Sequence, residues 1–226
     1  LIASGDVLIR TDEGLPQIPE ADVVCFGLWA DLAYANKHGI FACKRTNPDV
    51  MDFAMQKPEI KEVEKLSKTH FFLLDIGLWL LSDKAVKILR ERSYNSSGDL
   101  SFYDMYGDFG LGLGENPQNT DEEINRLTVK VVPLPGGEFY HFGTSLELIN
   151  SSNALQNKVF DQRLIMHRKI KPNSTIFTQN AEVKMQFSHH HHNIWIENSY
   201  IGNNWRLAGS NVITGVPQNN WDINIP

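Results

Sequence analysis

The chain has 226 residues, of which 42% are hydrophobic and 21% charged, a composition that excludes a disordered tail, collagen and a coiled coil. Its 21 Lys and Arg stand against 27 Asp and Glu, and the net charge of −6 leaves no basic excess of the kind that nonspecific nucleic-acid binding needs. The longest apolar stretch, Phe71–Leu81, is interrupted by Asp75 and is too short to span a bilayer, and no basic-then-apolar signal peptide is present. The two cysteines, Cys25 and Cys43, sit in apolar runs and read as core thiols of a reduced cytoplasm. A chain that begins Leu1-Ile2-Ala3 and ends Asn224-Ile225-Pro226 reads as a piece of something larger.

Strands and loops are expected over the first 80 residues. Leu1–Ile9 is apolar around Gly5-Asp6, and Asp22–Leu28 and Gly39–Cys43 are buried-strand runs. Met51–Met55 leads into Gln56-Lys57-Pro58, where Pro58 opens a helix over Glu59–Leu66. Phe71–Leu81 is long for one strand, and Asp75-Ile76-Gly77 predicts a functional bend in it. Ser82 or Asp83 caps a helix to Arg92. Phe102, Met105, Tyr106, Phe109 and Leu113 recur at steps of three and four and predict a helix over Leu100–Leu113. A strand follows at Thr128–Leu134 and a helix at Ser145–Val159. Strands alternating with helices imply a mainly parallel α/β sheet over residues 1–165.

Beyond 166 the helix formers fade. Step six places Phe177, Val183, His189, Trp195, Ile201, Leu207 and Ile213 in one register, six of the seven apolar. Hexapeptide spacing of this kind predicts an incomplete left-handed parallel β-helix over 166–226, against the rival of an ordinary antiparallel sheet.

Several constellations weaken on inspection. Asp108-Phe109-Gly110 matches a kinase metal triplet, but no His-Arg-Asp loop or strand lysine precedes it. Gly110, Gly112 and Gly114 lack the Lys-Ser/Thr of a phosphate loop. His189–His192 would alternate faces on a strand and reads as a solvated turn. Ser145 lacks the glycine-flanked elbow of a serine hydrolase. Three features remain. Asp6 ends a strand, where α/β sheets bind ligands. Lys57 is fixed by a following proline, and Pro133–Thr144 is a rigid, glycine-rich aromatic segment.

In order, Gly5-Asp6, Gln56-Lys57-Pro58, Asp75-Ile76-Gly77 and Phe139–Thr144 resemble the motifs of the sugar-nucleotide pyrophosphorylases. Glu20–Trp29, Lys68–Gly77, Pro133–Ser145 and Gln156–Arg163 are similar to one branch, the fucose-1-phosphate guanylyltransferase domain of the bifunctional fucokinase/GDP-fucose pyrophosphorylase family. That resemblance implies a Rossmann-like nucleotide-diphospho-sugar transferase domain followed by the β-helix. It implies transfer of a guanylyl group from GTP to L-fucose 1-phosphate, giving GDP-L-fucose and pyrophosphate. Asp6 would hold Mg²⁺, and Lys57 would neutralise the attacking phosphate. Gly39, Asp75 and Gly77 would contact the sugar. His141 would bind phosphate or metal, and Tyr140 and Thr144 would shape the pocket. A sugar-kinase domain of the same longer chain is the implied partner, with a homo-oligomer as a further possibility. Two positions depart from the family pattern: Gln56 stands for the Glu of Glu-Lys-Pro, and His141 for a second metal carboxylate. The glycine-rich nucleotide loop is expected upstream of residue 1. The alternatives are a non-catalytic β-helix assembly module and a hexapeptide-repeat acyltransferase.

Overall fold

The structure is a computed structural model that describes residues 1–29, 35–159 and 175–226. The expected boundary at 165/166 and the end of the Gln156–Arg163 stretch lie outside them. The described residues form two compact units, Leu1–Phe139 and Tyr140–Pro226.

The first unit begins with β1 (Ile2–Ala3), β2 (Val7–Thr11), β3 (Val23–Trp29), β4 (Gly39–Lys44) and β5 (Met51–Gln56). Then come α1 (Ile60–Leu66), β6 (His70–Leu81) and α2 (Asp83–Arg92), with the Ser82 hydroxyl accepting from the Ala85 N–H as N-cap. A short helix α3 (Glu122–Asn125) and β7 (Val129–Pro133) complete this unit up to β8 (Gly137–His141), along which the chain passes into the second unit. The sheet order is β5-β4-β6-β3-β7, with β1 also on β6.

Alternate residues of these strands fall into separate clusters. Val23, Cys25, Phe41, Cys43, Leu73 and Trp79 pack with Ala85 and Ile88 of α2 and with Phe109 and Leu113. Ile40, Ala42, Phe72 and Leu74 pack instead with Val63 of α1, while Val24, Phe26, Ile76 and Val132 form a third cluster. Both faces of the sheet are therefore covered, which is why the strands read as continuous apolar runs rather than alternating ones. Cys25 and Cys43 are free thiols inside this core; burial pushes the Cys43 thiol up to about 12 and Cys25 well above its ordinary value.

Three sequence expectations need correction. The sheet is mixed, not mainly parallel: among the described residues only β3–β7 is parallel in it, whereas β1–β6, β3–β6, β4–β5 and β4–β6 are antiparallel. The link between β4 and β5 is far too short for a crossover, so that pair can only be a hairpin. The Leu100–Leu113 helix is reduced to a π-helical turn, Met105–Phe109, and a 3₁₀ turn, Gly110–Gly112. The Asp104 carboxylate accepts from the Tyr106 N–H and starts the helical backbone only there, and Gly107, Gly110 and Gly112 weaken its continuation. Phe71–Leu81 is not broken; β6 runs unbroken over twelve residues and absorbs the bend as a bulge.

The second unit holds α4 (Ser145–Val159), then β9 (Ile176–Gln179), β10 (Glu182–Val183), β11 (Ile194–Glu197), β12 (Tyr200–Ile201), β13 (Arg206–Leu207), β14 (Asn211–Thr214) and β15 (Asn224–Ile225). Every pairing among β9–β15 is parallel, which overturns the antiparallel rival. The partners Phe177↔Trp195, Val183↔Ile201 and Leu207↔Ile225 are each three hexads apart. Asn180 and Asn198 turn corresponding corners in the left-handed region, at φ 46° and 47°, and their side chains are hydrogen-bonded at 2.6 Å. The repeat phase needs one correction. Ile194 and Ile196 fill the interior, while Trp195 is half-buried and stacks on Phe177 with ring centroids 4.0 Å apart; His189 is exposed.

Asp52 is 5% exposed at the start of β5. It accepts from Lys44 Nζ at 2.7 Å and Asn116 Nδ2 at 2.6 Å, and meets His70 Nε2 at 2.9 Å. Burial raises its pKa, but the bonds from Lys44, His70 and Asn116 outweigh burial and hold the carboxyl below its ordinary value of 3.8. A lowered folded pKa means stabilisation that is present above pH 3.8 and is lost as pH falls through the folded value. Asp52→Ala should cost about 2–3 kcal/mol in urea unfolding at pH 7. The difference from wild type should shrink on acidification below the ordinary carboxylate pKa; a difference that stays constant would show that the ionised form contributes nothing.

Candidate functional site

The site grows from one irregularity in β6. Along one edge β6 pairs with β3, but Phe26 faces Leu78 while Gly27 faces Asp75, so Ile76 and Gly77 are extra residues. Along the other edge β6 pairs with β4 through Ile40↔Leu74 and with β1 through Ala3↔Leu78. Asp75–Gly77 therefore lies where that edge passes from β4 to β1, in the gap between the two strand ends.

Asp75 is 7% exposed. Its Oδ1 accepts from the Gly77 N–H at 2.8 Å and from Trp79 Nε1 at 3.0 Å. Its Oδ2 is buried and has no hydrogen-bond partner among the described residues. Burial pushes its pKa up to about 6, with the Trp79 and Gly77 bonds opposing the rise. Gly77 stands at φ +69°, a conformation glycine takes without strain. At Gly39 a Cβ would lie 2.9 Å from Gln56 Nε2 and 3.4 Å from the Asp75 Cβ, so the bare backbone there lies beside both side chains.

Lys57 follows β5 directly. Its backbone is left-handed at φ +46°, and its N–H donates to the His38 carbonyl at 3.1 Å. A non-glycine residue held this way before a proline is strained, and such strain collects at functional sites. Gly39, Lys57, Asp75 and Gly77 are thus gathered where β4 starts and β5 ends, beside the middle of β6. Asp6 lies on the exposed turn between β1 and β2, and its carboxylate acts electrostatically on the Tyr106 phenol, as does that of Asp75. Mg²⁺ takes carboxylate oxygens together with substrate phosphates and water. The exposed Asp6 carboxylate is an oxygen donor of that hard type.

Tyr140, His141 and Thr144 belong to the second unit. Thr144 caps α4: its hydroxyl accepts from the Glu147 N–H at 3.2 Å and donates to Glu147 Oε2 at 2.9 Å. Glu147 Oε1 is 3.1 Å from His141 Nδ1, and the Ser151 hydroxyl donates to the His141 carbonyl at 2.6 Å. Glu147 therefore sets a carboxylate beside the His141 imidazole. Thr144 has a structural duty that Thr-x-x-Glu before an apolar residue signals in the sequence.

No family model matches the chain. Over its whole length the chain is 57% identical to a curated Bacteroides fragilis protein, "L-fucokinase/L-fucose-1-P guanylyltransferase", of which it spans 24%. The resemblance read from the motifs is shown. The similarity is to about a quarter of a protein whose name joins two activities.

Ser4, Tyr106 and Trp79 also meet around Asp75 and Gly77, and no sequence motif singles them out as site residues. Tyr106 and Trp79 sit at apolar positions of their elements and read as core.

Asp75 tests the cost of the site. A folded pKa of about 6 against an ordinary 3.8 means stabilisation that is full below pH 3.8 and lost as pH rises through 6. The ionised group should then cost on the order of 3 kcal/mol at neutral pH. Asp75→Asn keeps an acceptor for Gly77 and Trp79. It should raise the melting temperature at pH 8 more than at pH 5; an equal or smaller gain at pH 8 would show that the carboxylate is not strained by burial.

Proposed function

We propose that this chain is the guanylyltransferase part of a longer fucokinase/guanylyltransferase, joining GTP and L-fucose 1-phosphate to give GDP-L-fucose and pyrophosphate. The observation that carries this reading is the 57% identity over the whole chain to the bifunctional protein. In this reading a nucleotidyltransferase-like part over 1–165 precedes a left-handed β-helix, the cytoplasm is the compartment, and the kinase lies elsewhere in the same protein.

The chemistry asks for positioning and charge neutralisation rather than a covalent nucleophile. A sugar-phosphate oxygen attacks the α-phosphorus, the new P–O bond forms as the bond to pyrophosphate breaks, and pyrophosphate leaves with that electron pair. Asp75 Oδ2, buried without a partner, is the acceptor for a sugar hydroxyl. Gly39 and Gly77 let the ring approach the backbone. Lys57 sets its ammonium against the sugar phosphate, its backbone fixed by the bond to His38 and by Pro58. Asp6 would hold Mg²⁺, which supplies neutralisation of phosphate charge when bound. On the resemblance alone, His141 would bind phosphate or metal, and Tyr140 and Thr144 would shape a pocket.

Lys57→Ala in the intact protein should raise KM for L-fucose 1-phosphate, or lower the turnover rate, by about 10- to 150-fold, with KM for GTP little changed. Lys57→Gly should lose as much activity yet be more stable than Lys57→Ala by about 1 kcal/mol, because glycine accepts φ +46° without strain. Steady-state kinetics with each substrate varied in turn, beside thermal unfolding, checks both. Unchanged kinetics in the two variants would remove Lys57 from the site. Asp6→Asn should cut guanylyl transfer by orders of magnitude with the melting temperature unaltered; near-normal turnover in saturating Mg²⁺ would remove Asp6 from the metal shell.

A further inference from the structure

The bulge at Gly77 is lined by two hydroxyls. Ser4 follows β1, and its N–H donates to the Gly77 carbonyl at 2.8 Å. Its Oγ is 3.0 Å from Tyr106 Oη. A Cβ on Gly77 would lie 2.7 Å from Ser4 Cβ and 3.4 Å from Tyr106 Oη, so both hydroxyls crowd the Gly77 α-carbon. The same glycine gives its N–H to Asp75 Oδ1. Tyr106 is fixed from two sides: its N–H donates to Asp104 at 2.9 Å, and its ring meets Trp79 edge-on at 5.9 Å. Trp79 is in turn bonded to Asp75.

Two hydroxyls sharing one hydrogen bond keep one O–H and spare lone pairs between them. Burial raises the Tyr106 phenol above its ordinary value; the bond to Ser4 opposes this, and the Asp75 and Asp6 carboxylates add to it, so the phenol is a protonated donor at neutral pH. Around one glycine the fold thus sets a carboxylate that can only accept and a hydroxyl pair that can donate and accept. A tyrosine needed only to cover Trp79 could be phenylalanine; the phenol oxygen at the bulge is the feature that packing does not explain.

We propose that the Ser4 and Tyr106 hydroxyls are a specificity element of the sugar-phosphate site, reading one ring hydroxyl of the hexose beside the hydroxyl taken by Asp75. This rests on the guanylyltransferase reading and adds to it two residues that touch the sugar. The class of substrate selected is a hexose 1-phosphate with hydroxyls on neighbouring ring carbons. A site built to hydrogen-bond a hydroxyl penalises an analogue that lacks it, because its own polar groups are left unpaired.

Tyr106→Phe keeps the ring on Trp79 and removes only the oxygen, and Ser4→Ala removes the other half of the pair. Steady-state kinetics of the intact protein with L-fucose 1-phosphate and its monodeoxy analogues tests the assignment. Tyr106→Phe should raise KM for L-fucose 1-phosphate about tenfold, with KM for GTP unchanged. One monodeoxy analogue should be penalised in the wild type but carry no further penalty in Tyr106→Phe, a coupling that a structural strap would not produce. Wild-type kinetics in both variants, or equal penalties for every analogue in wild type and Tyr106→Phe, would overturn the proposal while leaving the guanylyltransferase reading in place. Failure of the wild type to transfer guanylyl to L-fucose 1-phosphate would overturn that reading and this proposal together.

Discussion

The buried carboxylate of Asp75 is the constraint around which the first unit is arranged. A carboxylate in a sheet interior needs donors, and the fold supplies them from its own strand through the Gly77 N–H and the Trp79 indole. Both donors reach Oδ1 only because β6 bulges at Ile76-Gly77 and Gly77 takes φ +69°. The other oxygen is left without a partner, which is expensive in an apolar setting and makes sense where a ligand completes the set. The strained backbone of Lys57 follows Gln56, whose partner Gly39 lies beside Asp75.

The opposite end of β4 and β5 solves a similar problem differently. Asp52 is as closed to solvent as Asp75, yet Lys44, His70 and Asn116 satisfy it fully, and its pKa falls where that of Asp75 rises. One carboxylate has both oxygens paired, and the other has one oxygen paired and one left over. Both are almost closed to solvent, but Asp75 lies deeper, and burial dominates its pKa.

The second unit shows the same economy of local devices. Corner residues in the left-handed region recur at Asn180 and Asn198, where asparagine tolerates the backbone and can also pair with its copy in the next coil. Interior positions are filled by aliphatic residues and Trp205, and the half-buried Trp195 stacks on the buried Phe177.

Much of this was legible in the sequence. The strands of the first unit, the Ser82 cap, the helix over Ser145–Val159 and the period of the parallel coils all arise from patterns of neighbouring residues, which act over a turn or a strand. The resemblance to the fucokinase/guanylyltransferase protein was legible as well. Strand direction was not, because an apolar run covered on both faces looks the same in a parallel and an antiparallel sheet. Nor was the phase of the coil interior at Trp195, where neighbouring apolar residues compete for one inward position. The difference between Asp52 and Asp75, and the meeting of Ser4 with Tyr106 across 102 residues, were decided by tertiary structure alone. Partners that far apart leave no local pattern, since only the folded sheet brings them within hydrogen-bonding distance.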